Sequence, residues 1–285
     1  MSESTIPVFV VGSGRSGTRT IFKLLSGIQH VEIHHEFVCT HIQKVAAQHF
    51  MGITGRDEAK REIMELHGSA IHYSKSKIWT DCSNKLSWLI GPLYDLFPNA
   101  RFIHLARDGR KVASSYFHKL NDEMYDDESV AIMRDWLLDR EHKPVPPPEK
   151  KYWWNIPQPG QPFAEEFPKF DQFQRACYQW REANRVIWES LKNIPAEQKM
   201  FVKLEDLVSS KSALETFLGF FEVGYEDHYA EYLKTPQNVI FPMDFMLTDE
   251  QNAQFKEIAL DVMQLLGYSN MEEYTVDYGT QPKNV

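Results

Sequence analysis

The N-terminal stretch IPVFVVGSGRSGTRTIFKLL constrains the fold more than any other part of the sequence. A short β-branched apolar run ends at Val11, glycines follow from Gly12 to Gly17, and apolar residues then recur at helical spacing up to Leu25. This order predicts a strand, a turn and a helix. The turn would lie at the carboxyl end of the strand, where parallel α/β sheets bind their ligands.

Two later segments repeat this alternation of strand and helix. A second strand is predicted over residues 30–35, and a third unit begins at Arg101, where RFIHLA leads through RDGR into KVASSYFHKL. Strands that alternate with helices predict the α/β class, with a mostly parallel sheet flanked by helices on both faces. Both glycine-containing turns would then lie at the same edge of that sheet.

The C-terminal part of the sequence is predicted to be mainly helical. Helices are expected over residues 171–191 and 206–221, with a short strand over 200–204 between them. The last helix begins at Thr248, whose spacing to Gln251 forms a capping box, and it ends near Gly267. Its apolar residues predict one buried stripe, formed by Phe255, Ile258, Val262, Leu265 and Leu266.

Residues 144–168 contain eight of the fifteen prolines, in the string PVPPPEKKYWWNIPQPGQPFAEEFP. So many prolines exclude a regular helix or a central strand, and a long loop is predicted instead. Such a loop is either a surface excursion or a lid that carries Trp153 and Trp154 over a substrate site. We therefore expect one domain over residues 1–285, with a proline- and aromatic-rich loop or lid at about 121–170.

Composition limits the classes of protein to consider. A chain of 285 residues with 42% hydrophobic and 25% charged residues is typical of a soluble globular protein. No apolar run approaches the roughly 20 residues that span a bilayer, and the N-terminus lacks a basic stretch followed by an apolar one, so a cytoplasmic location is expected. Cys39, Cys82 and Cys177 are too widely spaced to indicate a disulfide framework or a zinc site.

Charge is unevenly distributed along the chain. The net charge of −9 argues against a nucleic-acid partner, because phosphate contacts require a basic surface. Between Arg101 and Lys119, however, five Lys or Arg residues accompany one acid. This basic segment is either a solvated helix face or part of a site for an anion.

The glycine turn fits the pattern of a dinucleotide-binding loop in part. Gly12, Gly14 and Gly17 satisfy G-x-G-x-x-G, and Glu32 lies 20 residues after Gly12, where such a fold has its ribose-binding acid. A dinucleotide loop has no evident need, however, for the cations and hydroxyls found here, which are Arg15, Ser16, Thr18 and Arg19.

The loop of nucleoside triphosphate enzymes fits less well. Gly12 and Gly17 have the spacing of G-x-x-x-x-G-K-[ST], but Thr18 and Arg19 stand where the lysine and the magnesium-binding hydroxyl should be. A phosphosulfate carries less charge at its reacting end. Backbone N–H groups and a cation can bind it without a metal.

The segment R-S-G-T resembles the loop that binds the 5'-phosphosulfate group in the sulfotransferase family, in the form found in tyrosylprotein sulfotransferases. The resemblance implies a P-loop-like fold, the co-substrate 3'-phosphoadenosine 5'-phosphosulfate (PAPS) and no metal. It implies donor-binding roles for Arg15, Ser16, Gly17, Thr18, Arg19 and Thr20. Arg19 replaces a threonine that is common in the family, although heparan N-sulfotransferases also have arginine there.

A second motif lies in RFIHLARDGRKVASSYFHK. Arg107 ends the predicted strand, and Ser115 follows eight residues later on the next helix. The pair resembles the 3'-phosphate-binding motif of the same family. The chemistry agrees, because a guanidinium offers a planar fork to phosphate oxygens and a hydroxyl near a helix N-terminus adds a neutral donor. The two motifs together are more specific than either alone.

Lys85 and Glu36 are the candidate catalytic residues besides Arg15. The stretch TDCSNKLSWLIGPLYDLFPNARFIHLARDGR is similar to that of tyrosylprotein sulfotransferases, which implies that Lys85 stabilises the leaving phosphate. Glu36 lies 21 residues after Arg15, the separation at which those enzymes place their catalytic glutamate, so the resemblance implies a general base. Its neighbours His34 and His35 would orient the carboxylate or simply pack.

The resemblance implies in-line transfer of the sulfuryl group from PAPS to a hydroxyl or amine. It leaves the acceptor open among small molecules, carbohydrates, lipids and peptides. Further along, VKLEDLV resembles the family's Y-E-D-L segment, but Leu204 replaces the tyrosine. Two other functions remain open, a small-molecule kinase with a degenerate phosphate-binding loop and a nucleotide-binding module without catalysis.

Overall fold

Five parallel strands form one sheet at the centre of the described residues, in the order β2-β3-β1-β4-β5. The structure is a computed structural model and describes residues 5–120, 123–234 and 247–268. The strands are β1 (Ile6–Val11), β2 (Val31–His35), β3 (Ile78–Cys82), β4 (Arg101–Ala106) and β5 (Lys199–Lys203). The predicted α/β class with a parallel sheet is therefore confirmed.

Helices connect these strands and follow the last of them. Before β4 they are α1 (Thr18–Leu25), α2 (Cys39–Phe50), α3 (Arg56–Ile63), α4 (Ser69–His72) and α5 (Ile90–Leu96). After β4 they are α6 (Gly109–Lys119), α7 (Asp127–Leu138), α8 (Gln172–Leu191), α9 (Leu204–Ser209), α10 (Lys211–Gly219), α11 (Asp227–Leu233) and α12 (Asp249–Leu265). The C-terminal part is mainly helical over the residues described, as predicted.

Both faces of the sheet are covered by helices, because the side chains of each strand alternate between the faces. Val8 and Val10 of β1 pack with α1, α9, α10 and α11 on one face. Phe9 and Val11 pack with α2, α3, α5 and α8 on the other. A strand that is buried on both sides favours apolar residues at most positions, which explains the continuous apolar run of β1.

The parallel register brings the carboxyl ends of four strands to one edge of the sheet. In β1, Val10 is level with Cys82 of β3 and Val11 is level with His104 of β4. The chain passes from β1 toward β2 on one side and later crosses to β4 on the other side, so this edge is a topological switch point. Side chains from the turns that follow β1, β2, β3 and β4 therefore converge there.

β3 is a strand that the sequence pattern did not predict. Its residues IWTDC include Thr80 and Asp81, and both side chains are fully buried. Polar residues in the middle of the run hide the periodicity on which the prediction depends. The strand forms because it pairs with β1 on one side and with β2 on the other.

Two details of the predicted C-terminal helices were wrong. The helix expected over 206–221 is divided, because Ser210 has an extended backbone and its side chain accepts a hydrogen bond from the Ala213 N–H as the cap of α10. Leu265 was assigned to the buried stripe of α12 but is 41% exposed, whereas the stripe residues Phe255, Ile258, Val262 and Leu266 are buried. The capping box of Thr248 and Gln251 is confirmed.

The middle of the proline-rich segment 144–168, residues 153–157, is packed into the protein, whereas its first residues are largely exposed, as Val145 is at 58%. Trp153 and Trp154 are 1% and 6% exposed. Their indole N–H groups donate to the carbonyl oxygens of Pro147 and Glu123, at 2.8 Å in each case. Apart from single turns at Lys150–Tyr152 and Phe167–Lys169 the segment has no regular structure, as predicted. Among all residues described, no helix combines the length and the apolarity needed to cross a bilayer.

Candidate active site

The glycine loop after β1 is held in one conformation by contacts with α6. Gly14 and Gly17 have φ values of 82° and 105°, which glycine adopts without strain. The Tyr116 hydroxyl of α6 donates to the Ser13 carbonyl at 2.7 Å. A Cβ atom at Gly14 would overlap that hydroxyl, so glycine is required there by space as well as by backbone angle.

The loop also contains polar groups that lack partners within the described residues. Ser16 is fully buried, and its hydroxyl oxygen has no hydrogen-bond partner. Helix α1 begins just after the loop at Thr18, so the N–H groups of its first turn are directed toward the same region. Buried polar groups without a partner indicate a place for a polar ligand.

Arg15, Arg107 and Ser115 meet beside this loop. Arg15 donates through Nε to the Ser115 hydroxyl oxygen at 3.0 Å, and Arg107 donates through Nη1 to the Arg15 carbonyl at 3.2 Å. The Nε atom of Arg107 is buried and has no partner in the described part of the chain. The two predicted donor-binding motifs, which are about one hundred residues apart in sequence, are therefore in direct contact.

Several cations share this edge of the sheet. Burial lowers the pKa of Arg15, and the charges of Arg107 and Arg19 lower it further. Burial and the charges of Arg15 and Arg19 likewise lower the pKa of Lys119. Cations that repel one another gain from a bound anion, so the electrostatics favour phosphate-type ligands.

The remaining predicted loop residues lie in the first turn of α1. Thr18 is buried, and its hydroxyl is 3.4 Å from His35 Nε2. Arg19 is exposed, and Thr20 is half-buried. Leu204, which replaces the family's tyrosine, packs under the loop, since a Cβ atom at Gly17 would lie 3.0 Å from its side chain.

Lys85 and Glu36 form an ion pair at the same edge. Lys85 follows β3 and is 3% exposed, and its Nζ atom lies 2.7 Å from Glu36 Oε1. The same Nζ atom donates to Asn84 Oδ1 at 2.7 Å. The candidate base and the candidate leaving-group stabiliser are thus direct partners.

The turn that carries Glu36 is fixed by its backbone. Glu36 and Val38 have φ values of 55° and 45°, which are uncommon for residues with a Cβ atom and rare for valine. The Glu36 N–H donates to the Cys82 carbonyl, and the Phe37 N–H donates to the Asp81 carboxylate, both at 3.2 Å. Buried Asp81 therefore holds the turn against the end of β3.

The charges of the pair follow from their surroundings. Burial alone would raise the pKa of Glu36, but the charge and hydrogen bond of Lys85 outweigh it, so this pKa lies below its ordinary value. Burial lowers the pKa of Lys85, and the charge of Glu36 offsets part of that effect. A carboxylate paired with a lysine in this way is a weak base. It would become a stronger base if the lysine paired with another anion instead.

The two histidines next to Glu36 have other partners. His34 bonds to Glu32 at 3.0 Å and lies against the ring of Trp79. His35 contacts Thr18, and burial lowers its pKa, which favours the neutral ring. Neither contact directs a ring nitrogen to the Glu36 carboxylate.

A small pocket opens beside Lys85, and the sequence pattern did not predict most of its walls. It is lined by Gln43, Ala46, Asn84, Lys85, Trp88, Trp153, Trp154, Asn155 and Gln179. These residues come from α2, the turn after β3, the proline-rich segment and α8. Asn84 directly precedes Lys85 in the sequence, and Tyr116 directly follows Ser115. This adjacency to predicted site residues is the one sequence signal that pointed to them.

The fold and the site define an α/β protein whose candidate active site lies at the switch point of a parallel sheet. Residues 7–143, just under half of the chain, match the family described as the sulfotransferase family. The matched region contains both donor-site motifs together with Glu36 and Lys85. The match supports the predicted reaction class, sulfuryl transfer.

Solved sulfotransferase structures are similar to this chain at low sequence identity. A sulfotransferase from Alicyclobacillus acidocaldarius is 15% identical with a TM-score of 0.48, and the alignment covers 92% of this chain and 96% of that one. A sulfotransferase from Mycobacterium avium is 12% identical with a TM-score of 0.48, at 93% and 77% coverage. The sulfotransferase domain from the curacin biosynthetic pathway is 13% identical with a TM-score of 0.44, at 97% and 96% coverage. Comparison with curated proteins gives no match.

Proposed function

We propose that this protein transfers the sulfuryl group of PAPS to an acceptor hydroxyl or amine, by a single in-line displacement without a metal. The observation that carries the proposal is the contact between the two motifs, in which Arg15 bonds Ser115 and Arg107 bonds the Arg15 carbonyl. The Lys85–Glu36 pair stands at the same edge of the sheet. Phosphate-binding groups and an acid–base pair are thus arranged around one turn.

The residues present fit the donor. The unpartnered Ser16 hydroxyl and the unpartnered Nε of Arg107 are buried donors that an anion would satisfy. The left-handed Gly14 and Gly17 allow the backbone to approach a phosphate closely. A ligand with two anionic ends would also relieve the mutual repulsion of the cations nearby.

We assign Arg107 and Ser115 to the 3'-phosphate of PAPS. Ser115 accepts from Arg15 and therefore keeps its own O–H to donate to a phosphate oxygen. We assign the loop N–H groups, Arg15 and Lys85 to the 5'-phosphate. When bound, the donor supplies a sulfuryl group whose bond to the bridging phosphate oxygen breaks while the bond to the acceptor forms, and the electron pair stays on that oxygen.

Glu36 takes the proton of the acceptor in this proposal. The charge and hydrogen bond of Lys85 lower the pKa of Glu36 and so make it a weaker base. When Lys85 turns toward a phosphate, the carboxylate loses a cationic partner and becomes a better base. The choice of Glu36 over His34 or His35 also rests on the similarity to tyrosylprotein sulfotransferases, and that similarity stays a prediction. The single domain and the cytoplasmic location stay predictions as well.

A thermal-shift comparison tests the donor assignment. 3'-Phosphoadenosine 5'-phosphate (PAP), the product, should raise the melting temperature, because a ligand that binds the native state stabilises it. AMP lacks the 3'-phosphate and should raise it much less. ATP with magnesium should also be weak, and a stronger effect of ATP with magnesium than of PAP would support the kinase instead.

The matched variants are Arg107→Ala and Arg101→Ala, at opposite ends of β4. Arg101 bonds the Phe220 carbonyl, away from the carboxyl edge of the sheet. Each variant is compared with and without PAP, so that any general loss of stability cancels. Arg107→Ala should lose most of the PAP-induced shift and Arg101→Ala should keep it. Equal shifts in both variants would contradict the assignment.

A further inference from the structure

The turn between β4 and α6 carries Arg107, and the peptide group that follows Arg107 is held at both of its ends. Its carbonyl oxygen accepts from Trp180 Nε1 at 3.1 Å, and its N–H, which belongs to Asp108, donates to Glu205 Oε1 at 3.0 Å. These contacts join residues that are 73 and 97 positions apart in sequence. Because a peptide group is planar, contacts at both ends restrict the backbone rotations next to Arg107.

The next residues of the turn are packed as closely. Asp108 is fully buried, and its carboxylate accepts from the Arg110 N–H as the cap of α6. A Cβ atom at Gly109 would lie 2.5 Å from the ring of Phe255 and 2.7 Å from the ring of Trp180. The turn is therefore in contact with α8, α9 and α12 at once.

Glu205 is the buried carboxylate of this arrangement, at 7% exposure. It lies in the first turn of α9, directly after the end of β5. Besides the Asp108 N–H it accepts from the Tyr268 hydroxyl, which lies 3.0 Å from Oε2. Both partners are donors, so the carboxylate is the acceptor that joins them, and an ionised group that leaves water needs such partners.

Tyr268 anchors this carboxylate from the end of α12. Gly267 has a left-handed φ of 72°, and the Tyr268 N–H donates to the Met263 carbonyl at 2.9 Å, as in helices that end at glycine. Lys203 Nζ lies 4.5 Å from the centroid of the Tyr268 ring and donates to the Gly267 carbonyl at 2.8 Å. Burial and the charge of Glu205 raise the pKa of Tyr268, so its hydroxyl keeps its proton and donates.

We propose that Glu205 and Tyr268 are positioning residues for the 3'-phosphate of the donor. They hold the turn that presents Arg107, whose buried Nε atom has no partner in the described part of the chain. This role rests on the proposed function, in which Arg107 binds that phosphate. The preference of the site for a nucleotide with a 3'-phosphate then depends on two residues that act through Arg107.

Position and charge have opposite effects at Glu205. The charge of Arg107 lowers the pKa of Glu205, although burial raises it overall, so the two charges act on each other. The negative charge of Glu205 alone would therefore weaken the binding of a phosphate to Arg107. The hydrogen bond to the Asp108 N–H strengthens it, because a group that is already held in place loses less conformational freedom on binding. In the proposed role the effect of position is the larger.

Glu205→Met and Glu205→Gln separate the two effects, since both variants lack the charge. Methionine has a similar size but is a weak acceptor, whereas glutamine can still accept from the Asp108 N–H and can donate its NH2 group to the Tyr268 oxygen. Glu205→Met should bind PAP roughly tenfold more weakly than the wild type, and Glu205→Gln at least as tightly as the wild type. Equal PAP affinities in the two variants would overturn the proposal.

AMP supplies a readout that general damage to the fold would not change selectively. It lacks the 3'-phosphate and gains nothing from Arg107 in the proposed function. The Kd values of PAP and AMP are measured by calorimetry on the same protein. In Glu205→Met the affinity for AMP should stay nearly unchanged, so that the preference for PAP falls roughly tenfold. A loss by the same factor for both nucleotides would indicate a purely structural role and would contradict the proposal.

Tyr268→Phe is the milder variant and gives a result even if Glu205→Met fails to fold. It removes the hydroxyl that anchors Glu205, so PAP affinity should fall roughly threefold while AMP affinity is kept. Tyr94→Phe is the matched control and should bind PAP like the wild type. The Tyr94 hydroxyl donates at 3.3 Å to Gln198, which precedes β5 at the opposite end of the strand from Glu205. Equal PAP affinities in the two tyrosine variants would contradict the role of Tyr268.

The wild-type protein keeps the two proposals distinct. If it binds PAP no more tightly than AMP, the proposed function fails first. If it prefers PAP, and Glu205→Met and Tyr268→Phe keep that preference, the positioning role is wrong and the assignment of Arg107 stands.

Discussion

Lys85 Nζ lies 2.7 Å from Glu36 Oε1, and this contact joins the turns that follow β3 and β2. Both groups are needed elsewhere during the proposed reaction, the lysine on the departing phosphate and the carboxylate on the acceptor proton. The ion pair holds the pKa of Glu36 below its ordinary value. In the proposed reaction, donor binding would draw Lys85 away from Glu36, so that deprotonation of the acceptor depends on PAPS.

Glu36→Gln should keep PAP affinity while turnover falls by roughly two to four orders of magnitude, the usual contribution of a general base. Glutamine has nearly the size of glutamate and keeps one oxygen that can accept a hydrogen bond from Lys85, but it cannot take up a proton at neutral pH. The controls are His34→Asn and His35→Asn, whose rings bond Glu32 and Thr18. Each should reduce turnover far less. Loss of activity in His35→Asn with retention in Glu36→Gln would make the imidazole the base.

The pH profile of kcat/KM for PAPS reports the enzyme before the donor binds, in which the pKa of Glu36 lies below its ordinary value. Activity should therefore fall as the pH decreases through that lowered pKa. The acid limb of the wild-type profile should lie below the ordinary glutamate value of about 4.3. An acid limb near pH 6.5 would instead indicate a histidine.

Gly14→Ala should abolish donor binding, because the new methyl group would overlap the Tyr116 hydroxyl at a φ of 82°. Gly27→Ala is the matched control. Gly27 has a φ of 94° and nothing within 4 Å of an added Cβ atom, so it shares the backbone strain without the clash. PAP affinity measured by calorimetry should be lost in the first variant and kept in the second. Equal losses would show that backbone strain alone explains the effect.

The sequence predicted much of the candidate donor site but little of the pocket beside Lys85. The loop, Arg107 and Ser115 belong to local strand-turn-helix units, so short-range patterns place them at the edge of a sheet. The pocket depends instead on contacts such as that between Gln43 and Trp153, which are 110 residues apart. No periodicity encodes such a contact. β3 was missed for a related reason, because the turn it supports makes use of a buried Asp81 that interrupts the apolar pattern.

His104 should make the folded state sensitive to acid. Its ring is fully buried and bonds Asn184 at 2.8 Å, and burial lowers its pKa to about 4 despite that hydrogen bond. The histidine has a pKa of about 6.5 in the unfolded chain. Between about pH 4 and pH 6.5 the unfolded chain therefore binds a proton at this histidine, whereas the native state does not. The free energy of unfolding should therefore fall as pH decreases from about 6.5 to 4, by on the order of 2 kcal/mol.

Urea unfolding at neutral pH and at about pH 4.5 measures this effect. His104→Gln can still donate to Asn184 but has no proton to bind in this range, so it should lose that part of the pH dependence. His142→Gln changes a histidine that is 78% exposed and should behave like the wild type. An unchanged pH dependence in His104→Gln would rule out His104 as the cause.

Sulfuryl transfer should survive a strong chelator. Thr18 and Arg19 occupy the positions where a triphosphate loop has its lysine and magnesium-binding hydroxyl, and cations of the protein are available to the donor instead. Turnover is measured with labelled PAPS after treatment with EDTA, with and without added magnesium. Loss of activity that magnesium restores would favour a phosphoryl-transfer enzyme.

The crystal structure of the complex with PAP tests the central claim most directly. The account predicts the 3'-phosphate on Arg107 and Ser115, and the 5'-phosphate on the N–H groups of the glycine loop with Arg15 and Lys85. Lys85 Nζ should lie within hydrogen-bond distance of the 5'-phosphate and farther than 2.7 Å from Glu36 Oε1. A nucleotide bound away from the loop, or a 5'-phosphate beside an unchanged Lys85–Glu36 pair, would contradict it.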